Sequence, residues 1–217
     1  MPRLSRKARS VLLLIMVSVF LAGGILIIYR LVLDRSESGQ YENMHGWQAM
    51  SGRWTQNAGI FTNANYGRGD MLIAQHSKRS NYSISADIRF DLLFPETHYG
   101  DAGLVIRTTD PQPGVDSYEG YYAGLRPDTQ TVILGRASYD WHKLAVAKLN
   151  SPISVGSWYR LEISAQGCTL TVSVNPVNGQ SPTKLQYDDK ACMTEGVAGL
   201  RSFYAQASWR DVKITPH

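Results

Sequence analysis

The stretch 116–126, DSYEGYYAGLR, sets three tyrosines, two carboxylates and an arginine among glycines. In a β-strand, side chains two residues apart share a face. Tyr121, Ala123 and Leu125 then form an apolar face, while Tyr122 and its neighbours two and four residues away lie opposite. A flat aromatic ring flanked by small residues and by groups that bond hydroxyls is suited to a sugar ring. The alternative is that these tyrosines cap the edge of a sheet with their hydroxyls satisfied.

A second stretch, DAGLVIR at 101–107, has the same alternation. Ala102, Leu104 and Ile106 form its apolar face, which leaves Asp101 and Arg107 on the other. If the two strands are neighbours, strict alternation brings Tyr122, Arg107 and Asp101 together on one outer face. The alternative is a structural ion pair of Arg107 with Asp101 or Glu119.

Two aromatic residues in predicted loops are weaker candidates. Tyr99 in ETHYGD and Trp141 in SYDWHK occur where loops rim a binding face, and loops carry function more often than buried strands do. Alternation places Glu119 with the core face unless the strand contains a bulge there. The predicted ligand-binding residues are Tyr122, Arg107, Asp101, Tyr99, Glu119 and Trp141.

The elements that must position these residues alternate with a period of two. In YSISADIRF, at 82–90, apolar residues alternate with polar ones, and segments 161–165 and 170–174 do the same. Turn signals such as Arg68-Gly69-Asp70 and Pro127-Asp128 interrupt the runs at short intervals. No amphipathic helical pattern of a dozen residues follows residue 33. The pattern predicts an all-β, two-sheet antiparallel jelly-roll sandwich over residues 46–217.

The order of these strand motifs resembles the concanavalin A-like lectin/glucanase superfamily. The resemblance covers residues 47–214 and is carried by GRW and NAGIF, YSISADIRF, GDAGLVIRTTD, YEGYYAGLR, VILGRA, WYRLEISAQGCTLTVSV and GVAGLRSFYAQASWRDVKI. It is nearest to laminin G-like jelly rolls and to sandwich modules appended to glycoside hydrolases, including fructan-binding and keto-disaccharide-hydrolase-like groups. The resemblance implies fold more strongly than function.

The catalytic signature of the retaining glucanases in that superfamily is absent. They carry Glu-x-Asp-x-x-Glu on one strand, and no glutamate of this chain has an aspartate two positions later. No catalytic residue is therefore predicted, and a non-catalytic carbohydrate-binding module is the first hypothesis. A glycoside or keto-disaccharide hydrolase using Asp101, Asp116 or Glu119 is the alternative. An envelope protein-interaction module, with a protein partner in place of the sugar, is a further one.

The N-terminal segment predicts a membrane anchor. Residues 11–28, VLLLIMVSVFLAGGILII, form an uncharged run long enough to cross a bilayer. Four basic residues and no acidic one precede it, which predicts a cytoplasmic tail at 1–10, an anchor at 11–33 and a spacer at 34–45. The remaining domain would then be periplasmic or extracellular. A cleaved signal peptide is the alternative.

Charge and cysteine content restrict the remaining classes. The net charge is +4, but the four cations before the anchor and Arg30 account for the excess, since the other residues carry 17 basic against 18 acidic side chains. The exported part therefore lacks the basic surface expected of a nucleic-acid-binding protein. Cys168 and Cys192 predict a disulfide in an oxidising compartment. No cofactor and no metal site is predicted, and structural calcium is left open.

Overall fold

The computed structural model describes residues 44–96, 98–175 and 181–217. Within them lie fourteen β-strands and no helix. The strands are β1 (Trp47–Ala49), β2 (Trp54–Asn57), β3 (Ile60–Asn63), β4 (Arg68–Ala74), β5 (Tyr82–Leu93), β6 (Asp101–Thr109), β7 (Glu119–Arg126), β8 (Thr131–Ser138), β9 (Trp141–Lys148), β10 (Trp158–Gln166), β11 (Thr169–Asn175), β12 (Thr183–Asp188), β13 (Val197–Phe203) and β14 (Ala205–Pro216).

The strands form two antiparallel sheets of seven. The front sheet has the order β1-β4-β13-β6-β7-β8-β9, and the back sheet has the order β12-β11-β10-β5-β14-β3-β2. β6 and β7 are hydrogen-bonded neighbours, with Leu104 opposite Ala123 and Val105 opposite Tyr122. The predicted all-β sandwich is therefore confirmed, and so is the predicted adjacency of the two strands that carry the candidate residues.

The alternation of β5 produces one wall of the core. Ile84, Ile88 and Phe90 are fully buried, whereas Arg89 and Asp91 on the other face are only partly covered. Burying each such apolar side chain stabilises the fold by about 1.5–3 kcal/mol. Trp54 and Trp209 meet in the same core with their ring centroids 5.1 Å apart.

Trp158 lies outside the core. It begins β10 on the outer face of the back sheet, where the guanidinium carbons of Arg89 and Arg210 lie 4.7 and 4.4 Å from its ring centroid. The cause is register, because the buried residues of β10 are Tyr159, Leu161 and Ile163, and Trp158 is one residue out of phase with them.

The predicted disulfide between Cys168 and Cys192 is present and ties the β10–β11 turn to the segment before β13. Met44 packs into the core, two residues before the predicted start of the domain. No helix in the described residues could span a membrane, and the predicted tail, anchor and all but the end of the spacer lie outside those residues.

Candidate functional site

The outer face of the front sheet carries a second apolar cluster, separate from the core between the sheets. Its buried members come from four strands and one loop: Met71, Ile73, Val105, Tyr118, Tyr122, Ile133 and Ala137. A pocket of about 340 Å³ opens on this face. The pocket is lined by Arg68, Tyr99, Asp101, Val115, Asp116, Tyr122, Arg126, Ile133, Trp141, Arg201 and Phe203.

The sheet register brings four of these residues into one row across four strands. Phe203 pairs with Arg68 on one side and with Asp101 on the other. Ala102 pairs with Leu125, which places Asp101 beside Arg126. The row Arg68, Phe203, Asp101, Arg126 therefore crosses β4, β13, β6 and β7 at one end of the sheet.

Two glycines seat the aromatic rings against the sheet. A methyl group added at Gly124 would lie 2.6 Å from three atoms of the Tyr122 ring and hydroxyl, so that ring lies directly over Gly124. A methyl group added at Gly135 would lie 2.8 Å from Cζ3 of Trp141 and closer to two other indole carbons. The two rings meet edge to face with their centroids 6.1 Å apart. Both rings thus lie low over the sheet, and the space above Trp141 belongs to the pocket.

A buried arginine organises the polar floor. Arg201 is 3% exposed and donates to Asp116 Oδ1 at 2.8 Å, with Asp101 Oδ1 3.7 Å from its Nη1. Its guanidinium carbon lies 4.6 Å from the centroid of the Tyr122 ring. The Tyr122 hydroxyl donates to Asp101 Oδ1 at 2.6 Å. Nε of Arg201 has no hydrogen-bond partner among the described residues.

Burial shifts the proton affinities of this group. Burial raises the pKa of Asp101 above its ordinary value, although Arg201 and the Tyr122 hydrogen bond act in the opposite direction. Burial and the nearby Asp101 carboxylate raise the pKa of Tyr122 well above its ordinary value. Burial lowers the pKa of Arg201, but the surrounding tyrosines and carboxylates outweigh it and raise that pKa overall. Tyr122 therefore remains a hydrogen-bond donor and Arg201 a cation at physiological pH.

The rim combines aromatic rings with cations. The guanidinium carbon of Arg126 lies 4.8 Å from the centroid of Tyr99, and Arg126 also donates to Asp128 at 2.9 Å. Tyr99 meets Phe203 edge to face at 5.8 Å. Arg68 is exposed, and its guanidinium makes no hydrogen bond or ion pair with any residue in the described part of the chain.

The prediction that Arg107 shares a face with Tyr122 is wrong. The pairing of β6 with β7 shifts register between Ile106 and Thr109, and Arg107 adopts a φ of 53° in this bulge. Its guanidinium donates to the Ser80 carbonyl at 2.6 and 2.8 Å and to the Met193 carbonyl at 2.6 Å. The extra residue reverses the direction of the side chain, so Arg107 braces loops at the end of the sandwich and does not line the pocket.

Among the remaining candidates, the structure brings Tyr122, Asp101, Tyr99 and Trp141 together around the pocket. Glu119 does not line it, because Glu119 is an exposed residue at the bulged start of β7, opposite Thr109. The sequence prediction missed six lining residues, namely Arg68, Val115, Arg126, Ile133, Arg201 and Phe203. Alternation in GVAGLRSF could have found two of them, since Ala198 and Leu200 are buried in the core and Arg201 and Phe203 are out of phase with them.

Asp116, proposed from the sequence only as a catalytic carboxylate, also lines the pocket. The described residues contain no group of three or more histidine, cysteine, aspartate or glutamate side chains arranged to hold a metal ion. Lining side chains thus offer a sugar aromatic faces, hydroxyl-binding carboxylates and arginine donors, most of them on strands or at strand ends.

Solved structures with this fold include sugar-binding proteins. The chain is similar to the carbohydrate-binding module CBM66 from Bacillus subtilis, with a TM-score of 0.65, 20% identity and coverage of 80% of this chain and 97% of the module. A Bacillus subtilis protein with a galectin-like fold gives a TM-score of 0.60 at 14% identity over 82% and 92% of the two chains. The exoplasmic/lumenal domain of VIP36, bound to Ca²⁺ and Man3GlcNAc, gives a TM-score of 0.58 at 11% identity over 80% and 85%.

These likenesses confirm the concanavalin A-like fold. No curated protein sequence matches the chain. The family model for the 3-keto-alpha-glucoside-1,2-lyase-like domain matches residues 38–215, which include both sheets and the pocket. The chain therefore belongs to the family of 3-keto-alpha-glucoside-1,2-lyase-like domains.

Proposed function

We propose that the chain is a carbohydrate-binding protein that holds a sugar ring in the front-sheet pocket. The observation that carries the proposal is the Tyr122–Asp101–Arg201 group beside the glycine-seated indole of Trp141. An indole can stack on the apolar C–H face of a sugar, and oriented carboxylate and guanidinium groups can bond its hydroxyls. The fold shared with CBM66 and the VIP36 domain supports the same function.

The test is retention on immobilised polysaccharides and isothermal titration with the oligosaccharides that are retained. Full-length chain in detergent micelles is compared with Trp141→Ala and with Trp158→Ala as the matched control. Trp158 is also half-buried on an outer sheet face, but on the back sheet between two arginines. We expect binding to be weakened in Trp141→Ala and kept in Trp158→Ala. Equal binding by both variants, or no retention on any polysaccharide, would contradict the proposal.

We propose further that residues 11–33 anchor the chain and that the sandwich lies outside the cytoplasm. The uncharged run and the basic residues before it support this topology. Protease added to intact spheroplasts should then cut the sandwich while sparing a cytoplasmic marker. A sandwich that is cut only after lysis would contradict the topology.

One observation favours a second function on the same pocket. Asp101 is a buried carboxyl whose pKa burial raises, and a raised pKa makes a carboxylate a stronger general base. In a 3-keto-glucoside the ketone acidifies the proton on C2. A base can remove that proton, the electron pair forms the C1–C2 double bond, and the bond from C1 to the leaving oxygen breaks, so that this oxygen takes up a proton and departs as an alcohol. Incubation with a 3-keto-α-glucoside would then yield an enone absorbance that Asp101→Asn abolishes, whereas a binding protein returns the sugar unchanged.

A further inference from the structure

The charges of the pocket are arranged by depth. Both lining carboxylates contact Arg201 at the floor, and Asp101, 4% exposed, also accepts the hydroxyl of Tyr122. The other two lining arginines, Arg68 and Arg126, stand at the two ends of the row that crosses the rim. A ligand approaching from solvent therefore meets cations first.

The two rim arginines differ in how many of their guanidinium N–H donors have an acceptor. Arg126 stacks on Tyr99 and donates to Asp128, so part of its hydrogen-bonding capacity is used. Arg68 is exposed and has no acceptor for its guanidinium within the described ranges. A guanidinium has five N–H donors in a planar fork that matches a carboxylate. Arg68 is thus a cation on the pocket rim with its full capacity available.

The spacing of the row leaves room for a sugar between these cations. Arg68 and Arg126 are separated by Phe203 and Asp101, that is, by three interstrand steps of about 4.8 Å each, or roughly 14 Å between backbones. Arginine side chains are long enough to reach a charged substituent on a sugar in the pocket. Arg201 contacts both lining aspartates and Arg126 pairs with Asp128, so Arg68 is the lining arginine that no carboxylate in the described part of the chain neutralises.

We propose that the pocket is specific for an acidic saccharide, whose uronate carboxylate is bound by Arg68 at the rim. This inference rests on the proposed function, since it names the sugar class that the same pocket takes. The carboxylate replaces water at the Arg68 guanidinium, while the sugar ring lies against Trp141 and its hydroxyls face Asp101 and Asp116. Neutral sugars keep the stacking contact but lose the charge-assisted hydrogen bond.

The test compares uronate oligosaccharides with their methyl esters, which keep the same ring and differ in charge. Trimers of galacturonate, glucuronate and mannuronate are titrated into the full-length chain, each beside its ester. We expect the acid of at least one pair to bind about tenfold more tightly than its ester, the scale of one hydrogen bond to a charged group. This ratio should shrink towards one as the NaCl concentration is raised from about 0.05 to about 0.5 M, since salt screens exposed charges.

Two variants assign the preference to the pocket. Arg68→Gln should bring the acid-to-ester ratio close to one. Arg79→Gln removes the same charge from an exposed residue outside the pocket and should preserve the ratio. Acid and ester bound equally, neutral polysaccharides bound with no acidic one, or a preference that survives in Arg68→Gln would each overturn this inference and leave the proposed function standing. No binding to any saccharide would overturn both.

Discussion

Replacing Gly135 by alanine should weaken saccharide binding because it displaces the side chain of Trp141. The added methyl carbon would lie 2.8 Å from Cζ3 of Trp141 and closer to two further indole carbons. Carbon atoms in contact are separated by about 3.5–4.0 Å, so the indole has to withdraw by at least about 0.7 Å. The clashing atoms are at the far end of the side chain, and Trp141 is half-buried at the start of the edge strand β9. The ring, not the backbone, is therefore expected to move.

Gly135→Ala should weaken saccharide binding and leave the stability of the fold nearly unchanged. A sugar face that covers about 50 Å² of apolar surface contributes about 1.2 kcal/mol at about 25 cal/mol per Å², which is roughly an eightfold change in Kd. Replacing glycine by alanine at a compatible position stabilises a fold by about 0.4–1 kcal/mol through the unfolded state. This gain offsets the contacts that Trp141 loses, so the free energy of unfolding should change by less than about 1 kcal/mol.

Two measurements separate this explanation from a general loss of structure. The indole N–H resonance of Trp141, identified by its absence in Trp141→Phe, should shift in Gly135→Ala while the other tryptophan resonances stay in place. In a double-mutant cycle, Gly135→Ala should weaken saccharide binding in the wild-type background and have no further effect in Trp141→Ala. An unmoved resonance, or the same loss of affinity in both backgrounds, would refute the reasoning.

Three further predictions concern the framework of the site. Because burial raises the pKa of Asp101 in the folded state, folding takes up a proton. The wild-type free energy of unfolding should therefore fall as pH rises from 3.8 through the raised pKa, by about 1.4 kcal/mol for each pH unit that separates the folded from the unfolded pKa. Asp101→Asn should remove this slope from urea titrations made at a series of pH values. Arg107→Met should lower the free energy of unfolding by about 2–4 kcal/mol in urea, since it leaves the Ser80 and Met193 carbonyls without their charged donor, and a change in saccharide affinity would contradict its placement outside the pocket. Reducing the Cys168–Cys192 disulfide, which spans 24 residues, should lower the free energy of unfolding by about 3 kcal/mol. The Tm should therefore be lower with reducing agent than without it, and the Tm of Cys168→Ser/Cys192→Ser should not respond to the reducing agent.

The architecture was predictable because period-two alternation is set by the pleat of each strand. Sorting inward from outward residues in 101–107 and 118–126 correctly put Tyr122 and Asp101 on the outer face, and the structure joins them by a hydrogen bond of 2.6 Å. The two aromatic residues predicted in loops near that face, Tyr99 and Trp141, also belong to the pocket, although Trp141 is the first residue of β9. Local sequence was sufficient for these residues because each depends on one strand or on a position at its end.

Arg107 could not be placed from alternation because one extra residue reverses every side chain beyond it. The bulge follows Ile106, and the glycines that pack against it lie outside β6, Gly120 on β7 and Gly196 just before β13. Gly120 has a φ of 155°, and an added methyl group there would meet the Thr108 Cα at 3.0 Å, so the bulged strand passes close over it. A pairing partner has to be known before that glycine can be interpreted. The row of residues at the rim could not be predicted for the same reason, because β4 and β13 lie far from β7 in the sequence.

The glycines of the front sheet distinguish this face from an aromatic strand that only fills a core. Gly103 pairs with Arg201, and Gly135 pairs with Tyr122 and also lies beneath Trp141. Inside a core, a glycine beside each large side chain would leave a cavity, and a cavity costs stability. On an outer face, which has no sheet above it, the same pairing lets a large side chain lie against bare backbone. One surface of the indole is then buried for stability and the other remains available to a ligand.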